Sequence, residues 1–389
     1  MIKIKKRRTA QTSTAILVGI ISVVTSILLS CLILEMLGYQ PLKIFTKIFA
    51  KTYFRWDGIL ENLVTLVPIS LCALSVLVPA KAGFWNIGID GQFYMGAIAA
   101  TGVALAFPGL PAAVMIPLML IAAIVLAGLV GYICIIPRVK WGINEILVTI
   151  LFNSIIIYFV RYLVYDAWAD PKTVAAQTPE IAKAARLPIL ISDSRLHVGF
   201  IFAVLIVLGI NYILNNSIFG YELRLSGDNP KGADYAGIDS KKYAYLSMVL
   251  GAALAGIAGM LEVSGIVYRL QPTISSNYGF SAFVIAWVAR LSPIAVLFVG
   301  YLFSGLLVAG FKMQIMGLPS SIVGMLKGSV LLFVLAGEIL VYYKIKWVKN
   351  EKKNIDNINR ENICKEVNKN KLTLKSYNKS IKGKYIDGC

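Results

Sequence analysis

The chain is 389 residues long, 58% hydrophobic and only 15% charged, which is far too apolar for a water-soluble domain of that length. Of its formal net charge of +18, much sits in one place, since thirteen Lys and Arg fall between Lys344 and Lys384. That distribution points to cytoplasmic retention and anionic lipid headgroups, and away from nucleic acid.

Composition therefore predicts an all-α polytopic membrane protein, and the elements can be taken in chain order. Residues 1–14 are a basic N-terminus with Lys3, Lys5, Lys6, Arg7 and Arg8, ahead of an apolar run from Ala15 to Leu37. That run suffices for one crossing at roughly 20 residues. Neither a cleaved signal peptide nor lipidation at Cys31 fits, because the apolar run continues past the cysteine. From Gln40 to Asp57, Lys43, Lys47, Lys51 and Arg55 recur every four residues among Ile44, Phe45, Ile48, Phe49 and Tyr53, a pattern that predicts an amphipathic helix lying on the membrane surface. The crossing count puts this segment outside, against the positive-inside bias.

Further spans are predicted at Ile59–Val78, with Pro68 inside it, at Gln92–Phe107, Ala112–Ile136, Ile143–Val164, His197–Leu214 and Tyr243–Val267. They continue with an irregular one at Phe280–Arg290, then Pro293–Ala309 and Ser321–Tyr343. About ten crossings put both termini in the cytoplasm and leave 26 of the 38 Lys and Arg on the inner side, as the positive-inside rule requires. Residues 165–196, with Pro171, Pro179 and Pro188, read as an external cap. The membrane domain is thus 15–343, and the Asn- and Lys-rich segment 344–389 reads as a solvated, disordered cytoplasmic tail.

Several chemistries are missing. Cys31, Cys72 and Cys134 lie in apolar runs, with Cys364 and Cys389 in the tail, so no disulfide framework or metal spacing is offered. The sequence holds no GxxxxGK[ST] phosphate loop, HExxH, CxxC or paired-acid signature. No cofactor or metal is expected on this chain, and any ATP-driven step needs a separate ATPase.

Polar residues inside the apolar stretches are the functional candidates. Asn86–Gln92, NIGIDGQ, crowds Gly83, Gly88 and Gly91 at a membrane boundary, which reads as a broken helix lining a pathway or as an inter-span turn. Glu145 and Asn153 lie about two turns apart on one span, and Glu145 is either a pathway group or a first-turn acid favoured by the helix dipole. Glu262 lies deeper, as a cavity-lining acid or a buried inter-helix hydrogen-bonding group. Gly251, Ala255 and Gly259 repeat every four residues, the spacing of close helix packing. His197, the sole histidine, reads as interfacial and without a catalytic role. Arg224–Asp239, RLSGDNPKGADYAGID, is a charged interval read as a turn, a short helix over Lys231–Tyr235 and a second turn. It is either a docking element or a plain solvated loop.

Three ordered motifs carry a family resemblance over Ile59–Tyr343. KAGFWNIGIDGQ, Lys81–Gln92, is similar to an RAGLFNIGVEGQ-type signature, with Lys81 where Arg is usual and Asp90 where Glu is usual. GINEILVTILFN, Gly142–Asn153, resembles GVNEVISTIMLN. NP, the spaced Ala, YAGI and the Lys-rich entry into a span, within Arg224–Asp239, resemble a coupling loop. All three belong to membrane permease subunits of bacterial ABC importers of the ribose, branched-chain amino acid and nucleoside group, in the nucleoside, basic-membrane-lipoprotein-coupled branch.

The resemblance implies a non-enzymatic subunit in the bacterial cytoplasmic membrane that passes nucleosides, with simple sugars as the near alternative. It implies as partners an ABC ATPase that supplies ATP hydrolysis, a second permease subunit, identical or sister, and an extracytoplasmic substrate-binding lipoprotein. The substrate pathway would include Asn86, Asp90, Gln92, Glu145, Asn153 and Glu262. ATPase coupling would use Arg224, Asn229, Pro230, Ala233, Tyr235, Ala236 and Gly237. The small-residue repeat before Glu262 could then face the second permease subunit. The rival is a secondary transporter of a small polar solute without an ATPase, which calls for inverted halves with paired broken helices; the sequence offers one convincing break. An integral membrane enzyme lacks any catalytic constellation.

Overall fold

The computed structural model describes residues 2–6 and 12–347. Two compact units result. One comprises the chain ends, where strand β1 (Ile2–Lys6) pairs antiparallel with β2 (Tyr343–Trp347), Ile4 opposite Ile345. The predicted tail thus begins in a strand, and the rest of it, 348–389, lies outside the described residues.

The other unit, residues 19–338, is helical, and its first and last helices extend in sequence past those bounds. Its elements are α1 (Thr12–Met36), α2 (Pro41–Phe49), α3 (Trp56–Lys81), α4 (Ile89–Ala106), α5 (Ala112–Trp141), α6 (Glu145–Tyr162) and α7 (Gly199–Asn216). They continue with α8 (Ile218–Asp228), α9 (Pro230–Tyr235), α10 (Ser240–Glu262), α11 (Tyr278–Val288), α12 (Pro293–Ile315) and α13 (Ser320–Tyr342). Every predicted span meets a helix. Among the described residues, seven helices are long and apolar enough to cross a membrane, which makes this a multi-pass architecture. At 11 residues, α11 is about half a crossing.

Small residues decide the packing. α3 and α10 form the inner pair, buried along most of their length, while α5, α6, α7 and α12 turn Ile121, Val125, Leu147, Leu151, Leu205 and Phe298 outward, as lipid-facing helices do. A Cβ at Gly251 would sit 2.8 Å from the Ser75 carbonyl oxygen, one at Gly256 would sit 2.4 Å from the Ala127 Cβ, and one at Gly259 would sit 2.0 Å from the Phe93 oxygen. The glycines of α10 are therefore filled by α3, α4 and α5 of the same chain, which removes them as a surface for a second subunit.

The predicted amphipathic helix is shorter than its Lys period. α2 gives way to a π-helical turn over Ala50–Phe54 because the backbone there is fastened to its neighbours. The Tyr53 hydroxyl donates to the Leu302 carbonyl at 2.8 Å, Lys312 Nζ donates to the Lys51 carbonyl at 2.8 Å, and Asn62 Nδ2 donates to the Thr52 carbonyl at 3.0 Å. The segment is a strap tied to α3 and α12, with Ile48 and Thr52 buried.

Candidate functional site: two interrupted helices and a charged helix-turn-helix

Gly83, with φ +82°, ends the turn after α3, and residues 82–88 are non-helical before α4 begins. A second interruption, absent from the sequence reading, lies between α10 and α11. There the chain passes a π-helical turn (Val263–Val267) and runs irregularly to Asn277, with Tyr268 and Asn277 in the left-handed region.

Helix N-termini inside a packed membrane domain leave orphan N–H groups that side chains must satisfy. Asp90 does this for α11: its Oδ1 accepts from the Gly279 N–H at 3.0 Å and from the Ser275 hydroxyl. A Cβ at Gly279 would sit 2.4 Å from Asp90 Oδ2, so glycine is required there. The Tyr94 hydroxyl donates to the Pro272 carbonyl at 2.5 Å and accepts from the Ser275 N–H at 3.4 Å. Asn153 Oδ1 accepts from the Gly91 N–H in the first turn of α4. The two interruptions are thus one joint, in which the first turn of α4 carries the carboxylate that caps α11.

Asn86 and Gln92 are wholly buried and bond each other. Asn86 Nδ2 donates to Gln92 Oε1 at 2.7 Å, Gln92 Nε2 returns a bond to Asn86 Oδ1 at 3.0 Å, and Ser75 Oγ completes the knot. Their polar groups are satisfied within the chain, as a lock between α3 and α4. Glu145 likewise has internal partners: it is buried, accepts from the Trp85 N–H at 3.3 Å, and pairs with Arg138 at 3.3 Å. It is also the first-turn acid of α6, as one of its two readings held.

Glu262 differs. It is buried at the end of α10 with only the Tyr278 hydroxyl near Oε1, at 3.4 Å, and Oε2 has no partner among the described residues. Ser264 Oγ, two residues on, and Nε2 of His197, whose ring lies against Gly265, are also buried and unpartnered among the described residues. His197, just ahead of α7, is buried: its Nδ1 accepts from the Gly199 N–H at 3.1 Å and its ring fills the space left by Gly265.

Residues 165–196 fold back along the second interruption. Thr178 N–H donates to the Leu270 carbonyl at 3.1 Å, Ile181 N–H to Tyr268 at 2.9 Å and Leu187 N–H to Ser264 at 2.9 Å. Arg195 Nε donates to Glu61 Oε1 at 3.2 Å, and Glu180 bridges Arg186, at 2.8 Å, and Arg269. Hydrogen bonds from Arg269 and then Arg186 hold the Glu180 carboxyl below its ordinary 4.5. A depressed carboxyl favours the folded cap above the ordinary value and loses that preference as pH falls through the lowered one. We expect proteolysis within 165–196 to rise below about pH 4, and the rise to be absent in Glu180→Gln. Identical digestion profiles of the two proteins across that window would remove Glu180 as the latch.

Arg224–Asp239 forms a helix-turn-helix in place of the predicted turn and single helix. α8 runs through Arg224 to Asp228, so Arg224 lies half-buried in a helix. Asn229 Oδ1 accepts from the Gly232 N–H at 3.0 Å and caps α9, with Pro230 in its first turn. Ala233 is 0% exposed, its carbonyl accepting from the Ile238 N–H at 2.9 Å, so bulk there meets this loop before it meets any partner. The outward groups are Tyr235, at 94% exposure, with Asp234, Ala236 and Gly237, the last at φ +82°. Gly227 packs on the first interruption: a Cβ there would sit 2.4 Å from the Lys81 oxygen and 2.8 Å from the Ala82 carbonyl carbon.

The sequence reading missed Ser275, Tyr94, Tyr278 and Gly279. The available signal was length, since an 11-residue apolar helix after the polar run Gln271–Asn277 is too short to cross.

The family model described as "Branched-chain amino acid transport system / permease component" matches residues 58–335. The nucleoside ABC transporter permease protein NupB of Lactococcus lactis is 31% identical, over 82% of this chain and 90% of its own length. The guanosine ABC transporter permease protein NupP of Bacillus subtilis is 30% identical, over 87% and 97%. The glucose ABC transporter permease protein TsgB13 of Haloferax volcanii is 28% identical, over 88% and 93%.

Proposed function

The chain belongs to the branched-chain amino acid transport system permease family, and from that premise we propose that it is the membrane subunit of an ATP-driven importer that passes nucleosides into the cytoplasm. It is a transport subunit and not an enzyme, which sets aside the ATPase-independent rival even though two interrupted helices, and not one, are present. The observation that supports the reading is the α8–α9 element, a folded helix-turn-helix that leaves Tyr235 exposed, in a chain of this family.

On this reading the ATPase seats against Tyr235, Ala236 and Gly237. ATP is hydrolysed there and not on this chain. A second permease subunit and an extracytoplasmic binding lipoprotein complete the importer in a bacterial cytoplasmic membrane. A location of both ends in the cytoplasm is supported by the pairing of β1 and β2 at one place and by the inner bias of Lys and Arg. A cysteine at Lys183 should then label from intact cells and one at Lys231 should not; the reverse pattern would invert the topology.

Glu262, with one carboxylate oxygen unpartnered among the described residues, is the strongest route candidate, and Asn153, bonded to Gly91 and Ile87, is a framing group. Asn86, Gln92 and Glu145 serve the route as its frame. The test is uptake of labelled guanosine, uridine and glucose in cells with and without this chain, with subunits identified after co-purification. Uptake of a nucleoside together with an attached ATPase is expected; loss of neither on deletion would refute the assignment.

A further inference from the structure

The sequence leaves nucleosides and simple sugars as neighbouring readings, and a pair of indoles bears on that choice. Trp85 lies in the interruption before α4, and Trp287 is in the last turn of α11. Their rings stack with centroids 5.1 Å apart and planes 5° from parallel. Phe283 stands obliquely beside both, 6.1 Å from Trp85 and 6.5 Å from Trp287. Both indoles are only partly buried.

Two features separate this pair from ordinary packing. Trp287 Nε1 and one Arg290 guanidinium nitrogen are buried donors with no acceptor among the described residues, although a buried indole N–H ordinarily finds a partner. The chain then turns through Arg290 and Leu291, consecutive non-glycine residues at φ 51° and 53°, with the Arg290 N–H donating to the Trp287 carbonyl at 2.8 Å. Strain of this kind collects at switching and binding sites. Trp85 is carried by the first interruption and Trp287 by the far end of the helix that follows the second, and the segment with Trp85 begins against Gly227 of α8.

We propose that Trp85 and Trp287 form a nucleobase station: when the first interruption and the end of α11 part by the thickness of one aromatic ring, a planar base stacks on the indoles. Trp287 N–H and the Arg290 guanidinium donate to acceptors on the base edge, as arginine does to the O6 and N7 of guanine. Stacking on aromatic side chains serves any base, and the donors add a preference for an edge rich in acceptors. A hexose can lie on an indole through its C–H bonds, but it offers no planar, acceptor-rich edge to the two unpartnered donors. The ligand class is therefore a nucleoside, a purine with a carbonyl edge first. The station rests on the nucleoside reading above.

The test uses the full transporter in cells, with guanosine, uridine and glucose as probes. Trp85→Leu and Trp287→Leu keep apolar bulk and remove the stack; each is expected to lower guanosine uptake at least tenfold while the purified chain still carries its ATPase. Trp287→Phe keeps a ring and loses the donor, and should lower guanosine uptake more than uridine uptake, about threefold against little change. In the purified wild-type complex, guanosine should quench tryptophan fluorescence, and Trp287→Phe should lose most of that quenching. Nucleoside uptake unchanged in both Leu variants would overturn the station and leave the transport function standing. Glucose uptake with no nucleoside uptake in the wild type would overturn both.

Discussion

Asp90→Leu is expected to leave a protein that neither holds its fold in detergent nor supports uptake. The carboxylate accepts from the Gly279 N–H and the Ser275 hydroxyl in a buried joint. Leucine leaves both donors unpaired, at about 1–3 kcal/mol each, and adds bulk beside a glycine whose Cβ position is already 2.4 Å from Asp90 Oδ2. A loss of that size is a large share of the stability of an ordinary domain, about 5–15 kcal/mol. Asp90→Asn keeps one acceptor oxygen and should retain the fold with reduced transport. The measurements are the melting temperature of the purified chain and uptake in the same cells. Wild-type melting and uptake in Asp90→Leu would mean that the two interruptions are held together by something other than this carboxylate.

Separating attachment from transmission is the second large expectation, and it uses two positions of one element. Tyr235 is 94% exposed and an aromatic anchor is the usual centre of a docking contact. Tyr235→Ala should weaken ATPase attachment by about 2 kcal/mol or more, roughly thirtyfold, and uptake should fall with it. Gly227 lies behind the docking face, where a side chain would run into the carbonyl of Lys81 at 2.4 Å. Gly227→Val should therefore keep the ATPase bound yet abolish uptake, because α8 can no longer seat against the interruption that it would move. Ala233→Trp cannot make this distinction, since the alanine is buried in the loop itself. Pull-down of the ATPase with uptake from the same culture decides both. If Tyr235→Ala keeps full attachment and transport, α9 is an ordinary solvated helix; if Gly227→Val transports normally, force does not pass through this contact.

The sequence by itself determined what depends on neighbours along the chain. Runs of apolar residues set where the crossing helices lie, because hydrocarbon demands internally satisfied backbone and a fixed length. The turn expected after the short helix of Arg224–Asp239 is made at Gly237, at φ +82°, a conformation few other residues adopt without strain. Asn229 and Pro230 announced the start of α9, and three ordered motifs pointed to the permease family that residues 58–335 match.

What only the tertiary structure decided are the partners of each buried polar group. Asp90 meets Ser275 185 residues away and Asn153 reaches Gly91 across 62, separations over which no local pattern carries information. Hence the sequence named Asn86, Gln92 and Glu145 along with Glu262 as pathway residues, whereas contacts from distant segments satisfy the first three and leave one Glu262 oxygen unpartnered among the described residues. The same cause placed Ala233 inside its loop and Tyr235 outside it, and filled the α10 glycines from within the chain. A side chain's type fixes what it can bond; only the packing of remote helices fixes whether that bond is already made.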